Sequence, residues 1–370
     1  MKCICLKENI REALSAVEHG TGDSNALPIL KNVLIATEGG KLRVATTNLE
    51  LGITKFLQAK IIEEGGVSVS LTTLLSIVAN SDSERISLQT DAHNLLVQTD
   101  NYQARIQGMP REEFPIIPKI ENQDCSIEFS THVLKEAMGS VMGSAQISEI
   151  RPELSGVLLV TDGSSVKFVA TDSFRLAEKT LIGKQFKTSM QKGVQCIIPL
   201  KTAQEVMRIF KDDDAVLMQV DVNQIVFKNQ QQEIISRLID GRYPEYEQII
   251  PKTNETELSV SKEKLISAVK LVSSFSGKAN DIKMSVQEGG KTLAVFSASQ
   301  SLGENTYLIP IKCKGAEFKN VSFNWRFVLD GLRVITGDQI TFLVNGDTKP
   351  AVIKATEDVS YFYLVMPIKV

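Results

Sequence analysis

Asp172, Ser173, Phe174 and Arg175 stand together in the stretch "FVATDSFRLAEK", behind a short β-type run. An acid, a hydroxyl and a base within four residues read in two ways. They form either a catalytic corner, or a turn whose Asp172 and Arg175 merely pair or cap. The other reactive residue types do little for an enzyme. His19, His93 and His132 are isolated, and none neighbours a nucleophile motif. G-x-S-x-G, H-E-x-x-H and phosphate-loop patterns are absent. "EGGKLRV" and "EGGKTLAV" carry Gly-Gly-Lys without a long Gly-rich run, which fits a hairpin turn between strands rather than a phosphate cradle. Asp212, Asp213 and Asp214 follow a helical run and read as a solvated turn, with a divalent-ion site as the alternative.

The five cysteines, an odd and scattered set, do not suggest a disulfide framework. Cys3 and Cys5 lack a second ligand pair at metal spacing, so they are expected on the buried face of a strand as small apolar residues. Neither a metal nor a cofactor is expected.

The elements that position "TDSFR" are written more than once. "VATTNLELG" (from Val44) and "FSASQSLGE" (from Phe296) echo it, so the repeat is about a third of the chain. "LPILKNVLIAT" (from Leu27) matches "RPELSGVLLVT" (from Arg151), with "NDIKMSVQE" (from Asn280) a weaker partner. "ARIQGMPREEFPIIP" (from Ala104) is matched by "SRLIDGRYPEYEQIIP" (from Ser236). Each module opens with an amphipathic helix after a short strand. The helical face is Ile10, Ala13, Leu14 and Val17 in the first module. It is Val133/Leu134, Ala137/Met138 and Val141/Met142 in the second, and Leu265, Ala268, Val269 and Val272 in the third. Ser130 and Ser261 are the expected caps of the last two. A second helix is expected mid-module, in "LTTLLSIVANS", "PLKTAQEVMRIFKDD" and "NWRFVLDGLRVITGD"; the remainder reads as short strands. The expected modules are residues 1–121, 127–251 and 252–370.

With 370 residues, 43% of them hydrophobic, each module can bury its own core. No apolar run is long enough for a membrane span, and the charged N-terminus does not read as a signal peptide, so a soluble, cytoplasmic protein without a membrane partner is expected. A net charge of −3 speaks against a strongly basic nucleic-acid binder but allows a local basic face.

Taken in order, "LPILKNVL", "ATDSFRLA", "DGRYPEYEQIIP" and the terminal "VMPIKV" resemble the bacterial DNA polymerase III beta subunit family, the replicative sliding clamps, over the whole chain. The resemblance implies an α+β fold of three repeated clamp modules, the DNA clamp fold. Two copies would close head-to-tail into a ring of six modules, with helices lining the interior and sheets outside. The implied function is non-catalytic. The homodimeric ring would encircle double-stranded DNA without regard to sequence and tether the polymerase III alpha subunit. Further partners would be the clamp loader and other clamp-binding-motif proteins, among them repair and translesion polymerases and ligase. A peptide-binding scaffold that does not encircle DNA is the alternative, favoured by the acidic balance.

Helices facing the hole would carry Arg11, Lys135, Lys201, Arg208, Lys211, Lys264, Lys270, Arg326 and Arg333. Topological enclosure makes weak, diffuse phosphate contacts sufficient. The expected DNA-binding set is Ser24, Asn25, Arg151, Lys201, Arg208 and Lys264. The family often has a basic residue in the loop that here reads Asp23-Ser24-Asn25-Ala26. After Arg151, where some members of the family present aromatic residues, this chain has Pro152 and Glu153.

The resemblance also implies a partner-peptide groove between the second and third modules. Its residues would be Leu154, Thr171, Ser173, Phe174, Arg175, Leu176, Pro244, Gln248, Ile249, Asn324, Phe327 and Ala351, closed by Leu364, Val365, Met366, Pro367 and Ile368. Aliphatic walls and a methionine that repacks suit a short segment with a Gln and a Leu-Phe-like end. Phe174 stands where the family often has His, Ser173 where Gly is frequent, and Gln248 where Arg is known.

Overall fold

Helical spacing, joined by a serine cap in the second and third repeats, places the first helix of each repeat where the sequence suggests. The computed structural model describes residues 1–23, 26–120, 125–189, 193–212 and 214–369. In it α1 (Lys7–Val17) buries Ile10, Ala13, Leu14 and Val17. The helix α2 (Leu71–Asn80) starts at Ser70, whose hydroxyl accepts the Thr73 amide. In α3 (Thr131–Met142) the Ser130 hydroxyl accepts the Val133 amide. The remaining three are α4 (Leu200–Ile209), α5 (Lys262–Ser273, capped by Ser261) and α6 (Trp325–Val334, capped by Asn324). The rest is mostly antiparallel strand, so the chain is α+β.

The polypeptide forms two compact units. One comprises residues 1–135, 184–191 and 201–238, the other residues 136–183, 192–200 and 239–370. Strands of the middle repeat are therefore divided between the two.

The first unit holds a five-stranded and a ten-stranded sheet. In the larger, Leu51–Leu57 pairs with Gln232–Arg237, setting Ile53 opposite Ile234. Strand Lys2–Leu6 belongs to the smaller sheet and alternates in burial, so Cys3 and Cys5 share its core face. Burial pushes their thiols up to about 11 and about 12. The smaller sheet ends on one side at Gln103–Ile106.

The second unit holds a nine-stranded and a four-stranded sheet. In the nine-stranded sheet Arg175–Ile182 pairs with Tyr361–Val365, putting Leu176 opposite Leu364. The four-stranded sheet ends at Gly303–Pro310. Near that edge Leu271, Leu302 and Leu308 are all exposed. Within this unit α6 lies against Tyr363, and a Cβ at Gly331 would overlap the tyrosine ring.

Both Gly-Gly-Lys sequences are hairpin turns. Gly39 and Gly40 have φ of +57° and +74° between paired Glu38 and Lys41, and Gly289 and Gly290 have +67° and +83°. No helix among the described residues is long and apolar enough to cross a membrane.

Candidate functional site

The turn that carries "TDSFR" joins two strands of the nine-stranded sheet, Ser165–Thr171 and Arg175–Ile182. Asp172 is buried and acts as its staple. One carboxylate oxygen accepts the amides of Phe174 and Arg175, both at 2.9 Å, and the other accepts Arg175 Nε at 2.9 Å. Thr171 donates its hydroxyl to the Arg175 carbonyl at 2.6 Å and accepts the Ser173 amide at 3.1 Å. Ser173 lies at φ +77°, a left-handed conformation that costs a non-glycine residue about 1–2 kcal/mol. These bonds aim the Phe174 ring outward, where it is 59% exposed. Both oxygens of Asp172 are thus engaged in holding the turn.

Arg175 is held from three sides. Besides Asp172, its Nη1 donates to Asp330 at 2.6 Å, and its guanidinium carbon lies 4.5 Å from the Phe327 ring centre. Asp330 and Phe327 both come from α6, which Asn324 caps by accepting the Arg326 amide at 3.0 Å. Two backbone bonds anchor the segment that follows Tyr361–Val365, the first of them to this turn. Met366 N donates to the Phe174 carbonyl at 2.8 Å, and Ile368 N donates to the Ser322 carbonyl at 2.8 Å. Ala351 pairs opposite Val365 in the sheet.

Beneath the turn is a buried apolar cluster. Leu154, Leu176, Leu364, Tyr243 and Tyr246 belong to it, and Met366 packs against it half-buried. The aliphatic side chains expected as walls are therefore largely floor: Leu176, Ala351 and Val365 are completely covered. Phe174, Ile249 and Gln248 are exposed, whereas Pro244, Phe327, Pro367 and Ile368 are half-buried. Gln248 donates to Glu245 beside it, and Ile249 is 47% exposed without a place in the cluster.

Several partners in this region had no local signal. Tyr243 and Tyr246 stood only as aromatics in "DGRYPEYEQIIP", three residues apart. Tyr246 donates to the buried Glu178 carboxylate at 2.7 Å; burial, and then that bond, pushes its phenol up. Asp330 is 155 positions from Arg175, a separation that no spacing reveals.

The basic residues differ in what they already hold. Arg151 donates to Ser173 at 2.9 Å and Glu153 at 3.1 Å, so it belongs to the turn just described. In the first unit Arg208 donates to the buried Glu205 at 2.7 Å and to the Ser15 and Ala16 carbonyls at 3.0 and 2.6 Å. Glu205 also contacts His19 at 2.9 Å. Lys135 pairs with Asp212 at 2.8 Å, Lys211 with Glu12 at 3.0 Å, Arg11 with Glu8 at 3.6 Å and Arg333 with Asp330 at 3.4 Å. Arg326 stacks on Trp325, 5.1 Å from the ring centre. Lys201, Lys264 and Lys270 are exposed and form no ion pair among the described residues. Ser24, Asn25 and Asp213 lie outside the described residues. Among the described residues no group of three or more His, Cys, Asp or Glu is placed to hold a metal ion.

Comparison with known proteins accounts for the chain from end to end. Residues 1–118 match the N-terminal domain of the DNA polymerase III beta subunit, 128–245 its central domain and 247–369 its C-terminal domain. The beta sliding clamp of Synechococcus elongatus is 27% identical over 378 aligned residues, spanning 100% of this chain and 99% of that protein. That of Bacillus subtilis is 23% identical over 381 residues, covering 100% of both. The crystal structure of the Bacillus subtilis DNA polymerase sliding clamp superposes with a TM-score of 0.95 at 23% identity, covering 100% of this chain and 99% of the other. A Pseudomonas aeruginosa sliding clamp bound to griselimycin gives 0.93 at 22% identity, with 100% of both chains covered. The chain belongs to the DNA polymerase III beta subunit family, the bacterial sliding clamps.

Proposed function

We propose that this chain is a non-catalytic processivity factor of the bacterial cytoplasm. Two copies close head-to-tail around duplex DNA, with modules at 1–121, 127–251 and 252–370. Two sheet edges support the closure. Gln103–Ile106 ends the five-stranded sheet, and Gly303–Pro310 ends the four-stranded one beside the exposed Leu271, Leu302 and Leu308. Unpaired strand edges and exposed leucines are liabilities that a second copy removes. A heterologous contact that closes after two copies gives a ring. Lys201, Lys264 and Lys270, exposed and without an ion pair among the described residues, suit diffuse contacts to phosphates, as a sliding ring requires.

The groove tethers partners: the polymerase III alpha subunit, the clamp loader, and repair and translesion polymerases and ligase carrying a Gln-Leu-Phe-type segment. The observation that carries this reading is the turn at Asp172–Arg175. It holds an exposed Phe174 and a half-buried Met366 over the apolar floor of Leu154, Leu176 and Leu364. An apolar peptide end gains by covering these side chains, and methionine adapts to differing ligands. Fluorescence anisotropy of a labelled Gln-Leu-Phe peptide tests the groove, with saturable binding to the full chain expected. Sedimentation tests the closure: a particle of twice 40.8 kDa is expected at micromolar concentration, and a monomer that never associates would exclude a ring.

A further inference from the structure

The first unit contains a charged cavity of about 400 Å³ that shares no residue with the groove. Lys41, Lys55 and Lys211 line it, and among the described lining residues Glu12 is the one acid, with Asp214 close enough to attract Lys55. Lys55 sets its character. It lies in Leu51–Leu57 opposite Gln232, and its side chain is only 9% exposed. Its ammonium donates to Gln232 Oε1 at 2.8 Å and lies 3.7 Å from Glu12, whose nearer partner is Lys211 at 3.0 Å. Gln232 is itself fixed by donating to the Ile209 carbonyl at 3.1 Å, which keeps its oxygen turned to the lysine. One carboxylate thus serves two ammonium groups, and the lining keeps an excess of positive charge.

That excess sits in a partly dry place. Burial holds the Lys55 ammonium below the ordinary lysine value; Glu12 and, less, Asp214 offset part of this, and Lys211 repels it further. An ammonium has three protons to donate, and a bound anion would satisfy what Glu12 leaves open. The remaining polar lining is neutral amide, from Asn9, Gln58, Gln230 and Gln231. Amides both donate and accept, so they suit phosphoryl oxygens and hydroxyl-rich groups equally. The volume falls in the range of small-molecule sites, about 300–1,000 Å³. A phosphate on a DNA duplex sits on a wide rod and cannot reach a side chain this covered.

We propose that this cavity, built around Lys55, Lys211 and Lys41, binds a small phosphate-bearing anion. The full chain should be titrated calorimetrically with ADP, inorganic pyrophosphate, citrate and a short DNA duplex. Saturable binding of ADP or pyrophosphate, one site per chain, is expected; the two arms distinguish a nucleotide from a bare phosphoanion. Lys55→Met and Lys211→Ala should each weaken it at least tenfold. Lys211 and Lys41 lie nearer solvent, so Lys211→Ala and Lys41→Ala test the site even if Lys55→Met fails to fold. Absence of saturable ADP or pyrophosphate binding, or unchanged affinity in both Lys211→Ala and Lys41→Ala, would overturn the proposal. So would citrate binding as tightly as pyrophosphate, or displacement of the bound anion by the duplex.

Discussion

Replacing Phe174 with alanine separates binding from folding in the groove. The ring is 59% exposed, and the backbone that aims it is held by Asp172 and Thr171 rather than by the ring itself. Phenylalanine contributes roughly 200 Å² of surface, so about 120 Å² of this side chain faces water. A peptide lying across one side would cover about half of it. At about 25 cal/mol per Å² that coverage is worth about 1.5 kcal/mol, or about tenfold in Kd. Stability should change by less than about 0.5 kcal/mol, as for surface substitutions that leave the backbone bonds in place. Anisotropy of a labelled Gln-Leu-Phe peptide measures the first quantity and urea denaturation the second. Full affinity in Phe174→Ala would show that the peptide does not cross this turn. A loss of stability matching the loss of binding would show instead that the ring supports the fold.

Leu176→Ala should behave in the opposite way. Its side chain is completely buried in the cluster with Leu154 and Leu364, so about 2–5 kcal/mol of stability should be lost in denaturant titrations, along with the peptide site. Gly331→Ala pushes a methyl group into the Tyr363 ring and should destabilise by about 1–3 kcal/mol, read as a lower urea midpoint. Cys3, Cys5 and Cys196 are buried and their thiols pushed up to about 11, 12 and 12, so Ellman's reagent at pH 8 should reach only Cys125 and Cys313 before unfolding. Deleting Met366–Val370 removes the bonds to Phe174 and Ser322; peptide binding should vanish while sedimentation still reports the same assembly as the full chain.

Local sequence information located the helices because their determinants are local. The spacing of Ile10, Ala13, Leu14 and Val17 marks a buried stripe, and Ser130 and Ser261 are side-chain caps within three residues of the amides they accept. The Gly-Gly turns were legible for the same reason, since φ above zero at two successive positions favours glycine. The sheet connections were not. Nothing near Ile53 or Leu176 says that Ile234 and Leu364 will lie opposite, because those pairings join residues far apart in sequence, in different repeats. In the candidate site the turn residues were visible, and the resemblance brought the C-terminal strand to them. Which side chains are floor and which face solvent depended on packing: Leu176 is covered, Phe174 is not. The commitments of Arg151 to Ser173 and of Arg208 to the carbonyls of α1 are likewise tertiary. Both residues carry the charge expected of a phosphate contact but already spend donors on the protein.

Enclosure of DNA is the central claim, and it is a statement about topology rather than affinity. The chain should be loaded by its clamp loader onto nicked circular DNA, washed at high salt, and the circle then cut once with a restriction enzyme. A ring held by enclosure stays on the intact circle through the wash and leaves rapidly by sliding off the new ends. Equal retention on circular and linearised DNA, or loss from the intact circle in salt, would contradict enclosure and leave the chain as a peptide-binding scaffold.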